Sequence, residues 1–142
     1  MTSYFPDVNV WVALNHGRHA HHASANRWYL AQPDSSLFLF CRQTQVGLFR
    51  ILSTPAVMKE EALTLKSCWQ IFDEWMGTGQ VRWANEPDEL GPRFRDQTSD
   101  SLVAPKVWMD AYLAAFAETA GLTLVTFDRA LAGKVEGAVL LG

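Results

Sequence analysis

The run Leu37-Phe38-Leu39-Phe40 contains no polar residue. A strand with one wet face alternates apolar and polar side chains, whereas an unbroken apolar run reads as a strand buried on both faces. Such a strand needs a layer above it and a layer below it, and helices are the usual cover. The rest of the chain supplies them. Tyr4-Phe5 reads as a short strand ended by Pro6, and Val8–Leu14 as a first helix with Val8, Trp11 and Val12 on one face. His19–Ala31 reads as a second helix closed by Pro33. Thr44–Leu52 reads as a third, with Val46, Leu48 and Phe49 inward. Leu65–Met76 follows as a longer amphipathic helix carrying Cys68, Trp69, Phe72 and Met76 inward, and Val81–Trp83 as a strand. Glu86–Thr98 reads as a short surface helix. Pro105 suits the first turn of a helix reaching Thr119 and stopped by Gly121. Leu122–Val125 is a buried strand, Asp128–Ala132 a turn or short helix, and Ala138–Leu141 a last strand. Strands alternating with helices predict an α/β fold with a mostly parallel sheet.

One domain accommodates all 142 residues and leaves enough interior for a core. Charged residues make up only 19%, which excludes a disordered chain. The net charge of −3 argues against a simple basic nucleic-acid-binding module, although it leaves room for an enzyme with locally placed cations. Six tryptophans and eight phenylalanines exceed what a core of this size needs alone, so some are expected on a partner surface. Cys41 and Cys68 lack metal-like spacing and read as free thiols in a reducing compartment. No basic start followed by an apolar stretch and no membrane-length apolar run is found, so a cytoplasmic protein without a membrane span is expected.

Three acidic residues stand where an α/β sheet builds its sites, at the carboxyl ends of strands. Asp7 follows the first strand, Asp128 follows the strand Leu122–Val125, and Asp110 lies on the helix before that strand. Ala114 and Ala117 share the Asp110 face, and their small size lets that helix approach the sheet closely. Each aspartate also has a simpler reading, as a helix cap or as a first-turn acid favoured by the helix dipole. Two carboxylates about 5 Å apart repel by about 3 kcal/mol at an effective dielectric of 20, so three mutual pairs cost about 10 kcal/mol. A cluster of that kind takes up protons, moves apart, or holds a cation. All-oxygen donors favour Mg²⁺ or Mn²⁺ over zinc, and Asn9 offers a neutral ligand or a supporting hydrogen bond. Such a site suits phosphodiester hydrolysis.

The segments DVNVWVAL (Asp7–Leu14), HHASANRW (His21–Trp28), TQVGLFRILSTPAV (Thr44–Val57), VWMDAYLAAFAETAGLTLVTFD (Val107–Asp128) and the final GAVLLG resemble the PIN-domain ribonucleases. In particular they resemble the VapC toxins of toxin–antitoxin pairs. The resemblance spans nearly the whole chain, as a single PIN domain over residues 1–142. It implies a three-layer PIN-like sandwich, a mostly parallel sheet with helices on both faces. It also implies an Mg²⁺-dependent endoribonuclease, with Mn²⁺ able to substitute, that is neutralised by a VapB-like antitoxin and often forms a homodimer. Carried over by position, Asp7, Asp110 and Asp128 are the catalytic and metal-holding residues. Thr126 is the small hydroxyl two before the last Asp, and Asn9 lies two after the first; both stand behind the ligands. One departure is clear. The family's usual helix Glu, three residues before an Arg, falls on Gly47 when counted back from Arg50. A subgroup with this style of helix lacks that Glu, which implies fewer carboxylates and leaves one or two ions open. Glu60 and Glu61 are placed by nothing in the sequence.

Other residues carry two readings each. Arg50 and Lys106 suit RNA phosphate or surface ion pairs, and Trp108 suits a stacked RNA base or packing. Trp11, Trp28 and Phe49 suit an apolar groove for an antitoxin helix, or packing within the monomer or a homodimer. His16, His19, His21 and His22 include a His-x-x-His pair, but without a Glu and a further ligand it reads as helix surface. Two alternatives to the nuclease follow. Gly47 motivates a catalytically weak PIN module that binds RNA or a protein. A phosphatase of the haloacid-dehalogenase type also opens with Asp after its first strand, but it needs a second Asp where Asn9 stands.

Overall fold

The computed structural model describes residues 1–142. Five short strands, β1 (Ser3–Pro6), β2 (Leu37–Phe40), β3 (Val81–Trp83), β4 (Thr123–Thr126) and β5 (Val139–Leu140), form one sheet in the order β3-β2-β1-β4-β5. Every pairing is parallel. Between them run α1 (Val8–Asn15), α2 (His22–Leu30), α3 (Arg42–Leu52), α4 (Pro55–Met58), α5 (Leu65–Gly77), α6 (Leu90–Gln97), α7 (Val107–Ala120) and α8 (Arg129–Ala132), with a 3-10 turn at Lys59–Glu61 after α4. No helix is long and apolar enough to cross a membrane.

The apolar run Leu37–Phe40 does what its composition demands. Phe38 and Phe40 face one core with Trp11, Leu48, Leu52, Met58, Cys68, Phe72 and Val81, under α1, α3 and α5. Leu39 points the other way and packs against the second core, where Phe5 and Leu124 meet Leu113, Ala114, Phe116 and Ala117 of α7 and Leu131 of α8. Side chains alternate with the period of two set by the strand pleat. The outcome is the three-layer α/β sandwich expected from the sequence.

Trp11 is fully buried and stacks on Phe40 with ring centroids 3.9 Å apart, and Trp28 packs against the same core. Neither forms an open groove, so of the two readings given for Trp11 and Trp28 the structure shows packing within the monomer. Only Trp69 and Trp108, about half exposed, remain of the six tryptophans as surface candidates.

Helix α3 also differs from its expected register. Its buried side chains are Thr44, Gln45, Leu48 and Leu52, while Val46 is exposed. The inward face therefore opens on two polar residues at the carboxyl end of β2. Thr44 is satisfied by the chain entering the helix: its hydroxyl accepts from the Cys41 N–H at 3.0 Å and donates to the Cys41 carbonyl at 3.1 Å. Gln45 Oε1 accepts from Arg42 at 2.6 Å. Gly47 faces α1, and a Cβ built there would lie 2.6 Å from Cγ2 of Val8. The glycine is thus a packing requirement where α3 crosses α1. Helix α7 starts at Val107, two residues after Pro105, and ends on Gly121, whose φ of 68° is the left-handed stop a helix terminus favours.

Candidate active site at the carboxyl edge of the sheet

From β1 the chain winds outward to β2 and β3 on one side, then crosses to β4 and β5 on the other. The reversal falls between β1 and β4, and open α/β sheets bind ligands at such switch points, outside the carboxyl ends of the strands. Asp7 is the first residue after β1, and Asp128 lies two beyond β4. The Asp7 N–H donates to the Val125 carbonyl at 2.9 Å, carrying the ladder to the edge of the site.

Thr126 joins the two aspartates. Its buried hydroxyl donates to Oδ2 of Asp7 at 2.5 Å and accepts from the Asp128 N–H at 2.9 Å. The remaining oxygens reveal why both cap and site readings hold. Oδ1 of Asp7 accepts from the Val10 N–H at 3.1 Å and caps α1. Oδ1 of Asp128 accepts from Ala130 and Leu131 at 2.8 and 3.1 Å and caps α8. The N-terminal ends of two helices therefore supply the N–H groups that make two neighbouring carboxylates tolerable. Asp110 sits half-buried on the first turn of α7.

Charge is the site's main feature. Burial pushes the Asp7 carboxyl above the usual carboxylate range; hydrogen bonds from Thr126, Val10 and Asn9 oppose this, and the Asp128 charge adds to it. Burial raises Asp110 as well, the Asp128 charge raises it further, and Lys134 pulls it back. Asp128 thus lies within electrostatic reach of both other aspartates. The donor chemistry suits a hard divalent ion. The side chains do not close around one: no three His, Cys, Asp or Glu groups are grouped so that they could hold an ion together. The site is an acidic cleft and not a formed cage.

Several candidates lie elsewhere. Arg50 is in the last turn of α3 and lines a groove with Val46, Phe49, Ser53, Leu65, Cys68 and Trp69, which contains none of the three aspartates. Trp108 packs edge-on against Phe94 of α6, and the cavities it lines exclude the aspartates. Lys106 is the exposed residue preceding α7. Glu60 and Glu61 pair with Arg18 at 3.4 and 3.6 Å, and Glu61 approaches His16 at 3.7 Å.

Two groups missed by the sequence reading do border the cleft. Lys134 is the cation that Asp110 feels. His19 and His21, read as helix surface, precede α2, which starts at His22. They line a cavity of about 370 Å³ with Asn9, Phe127 and Asp128. The position of Phe127 between Thr126 and Asp128 was the available signal that an aromatic ring stands beside the acids.

The fold is shared with solved structures. VapC20 of Mycobacterium tuberculosis, a sarcin-ricin loop cleaving toxin, superposes with a TM-score of 0.65 at 16% identity, covering 92% of this chain and 93% of that one. VapBC-1 of nontypeable Haemophilus influenzae matches with a TM-score of 0.60 at 12% identity, over 98% and 96% of the two chains. No family model matches the chain. Curated sequences do. Ribonuclease VapC41 of Mycobacterium tuberculosis is 38% identical over 128 residues, covering 87% of this chain and 88% of its own length. Ribonuclease VapC39 of the same organism is 30% identical over 134 residues, covering 94% of both. The chain belongs to the VapC family of PIN-domain ribonucleases.

Proposed function

We propose that this chain is a divalent-metal-dependent endoribonuclease toxin, cleaving RNA phosphodiester bonds at the acidic cleft and silenced by a VapB-like antitoxin. The observation that carries it is the Asp7–Thr126–Asp128 chain of hydrogen bonds across the β1–β4 switch point, with Asp110 coupled to it through charge. Mg²⁺, or Mn²⁺ in its place, would be held by Asp128 and Asp110 with Asp7, and would supply an activated water and stabilisation of charge on the phosphate. The protein's own part is positional. Thr126 fixes the Asp7 carboxylate, Asn9 adds its backbone N–H to Asp7, and the caps of α1 and α8 orient the acids before substrate arrives. Single-stranded or looped RNA suits an open edge of this kind. The exposed apolar groove between α3 and α5, with Val46, Phe49, Leu65 and Trp69, supports an apolar partner surface for a homodimer or an antitoxin.

The test is cleavage of single-stranded RNA by pure protein. Activity should require Mg²⁺ or Mn²⁺, stop on chelation, and fall at least a hundred-fold in Asp7→Asn, Asp110→Asn and Asp128→Asn. Unchanged cleavage by these variants would sink the nuclease reading.

The open cage and the tight packing at Gly47 favour a second reading, a catalytically weak PIN module that binds RNA or a protein. Tight RNA binding without cleavage, at any Mg²⁺ or Mn²⁺ concentration, would select it.

A further inference from the structure

The nuclease reading leaves the cavity beside Asp128 without a task. Its floor is aromatic. His21 stacks on Phe127 with ring centroids 4.4 Å apart and planes 20° from parallel, and His19 lies next to His21 at 5.8 Å. The His21 N–H donates to Nδ1 of His19 at 3.0 Å, which fixes the turn that presents both rings. One face of the His21 ring is occupied by Phe127, and His21 is exposed to solvent. Asn9 and Asp128 line the same cavity.

We propose that this ledge is a nucleobase subsite, which stacks one unpaired base of single-stranded RNA beside the bond cleaved at the acidic cleft. The inference rests on the nuclease reading for the identity of its ligand. Four observations favour a base over a phosphate. The ledge consists of flat π-faces, and stacking on aromatic side chains is how proteins grip single-stranded bases. The residues lining the cavity include no Lys or Arg, and the Asp128 carboxylate in its wall repels an anion. Burial and the neighbouring His21, His16 and His22 lower the pKa of His19, which disfavours a positive charge on that ring. Asn9 places an amide able to meet a base edge as both donor and acceptor. The volume, about 370 Å³, is within the range of small-ligand pockets. A base in a duplex is stacked on its neighbours and cannot enter, so the subsite also selects unpaired RNA.

His21→Ala and His21→Trp test this without touching the acids. Two quantities are measured: kcat and KM on a short single-stranded oligoribonucleotide, and Kd for the same fluorescently labelled oligonucleotide on the Asp110→Asn background. His21→Ala should raise KM and Kd about ten-fold, with kcat within about two-fold, and His21→Trp should restore both. Unchanged KM and Kd in His21→Ala overturn the subsite. So does loss in His21→Ala that His21→Trp fails to restore, because the imidazole then acts by hydrogen bonding and not by stacking. The two readings separate cleanly. Absent cleavage with ledge-dependent binding defeats the nuclease and keeps the subsite, whereas cleavage indifferent to His21 does the reverse.

Discussion

Thr126→Val removes one hydroxyl and almost no volume, so its effect isolates the hydrogen bonds. Two are lost. The bond to the buried Asp7 carboxylate is of the charged type, contributing about 1.5–3 kcal/mol, and the Asp128 N–H loses its acceptor at about 1 kcal/mol. Where Asp7 is ionised the expected total is about 3 kcal/mol. The pH dependence has a definite sign. Asp7 already has a folded-state pKa above its unfolded value, so the folded chain binds more protons than the unfolded one between those two values. Stability therefore falls as pH rises through that window and is flat above it. Removing the Thr126 donor raises the Asp7 pKa further and extends the window upward. The cost of Thr126→Val should thus grow with pH, from about 2 kcal/mol where Asp7 is protonated and both bonds are of the neutral type to the full amount where it is ionised. Urea unfolding along a pH series that rises from the ordinary carboxylate range measures it, repeated on the Asp7→Asn background where the charge is gone. A cost independent of pH, or one of equal size in the Asp7→Asn background, would refute the coupling.

Three further outcomes follow from the same geometry. Asp7→Asn should abolish cleavage and yet raise the unfolding midpoint, since it removes a buried charge beside Asp128 while keeping an oxygen to cap α1; thermal melts beside the cleavage assay check both halves. Gly47→Ala should destabilise by about 1 kcal/mol, because crowding of about 2 kcal/mol against Val8 outweighs about 1 kcal/mol of helix propensity. In a Val8→Ala background the same change should become stabilising, which a double-mutant cycle reads directly. Mg²⁺ at ten times its dissociation constant should stabilise the fold by about 1.4 kcal/mol, a shift of about 4 °C, and the shift should vanish in Asp128→Asn.

Much of this architecture was legible in the residues. The unbroken Leu37–Phe40 run required cover on both sides, and the Ala114 and Ala117 spacing marked the face of α7 that meets the sheet. The strand-end positions of Asp7 and Asp128 were legible because each follows a short apolar strand. What failed to show had physical reasons. The apolar pattern of α3 put Val46 inside because a period count cannot know that Thr44 and Gln45 find partners in Cys41 and Arg42. Arg50 suited an RNA phosphate by its chemistry, but it ends a helix whose first turn is the part near the carboxyl edge. His19 and His21 were hidden because helical spacing through His22 concealed a turn, and only tertiary folding stacks His21 on a ring more than a hundred residues away.

The same separation governs when the protein becomes competent. Asp7 and Thr126, the pair whose hydrogen bond defines the cleft, are 119 positions apart. No helix, hairpin or local segment contains the site in miniature. A growing chain that already displays β1, β2 and β3 carries one of the three acids, and on the proposed nuclease reading it would stay inert until synthesis has passed Asp128 and β4 has docked beside β1. For a chain that acts on RNA, the synthesis of which depends on RNA, the wiring of the sheet is itself a delay.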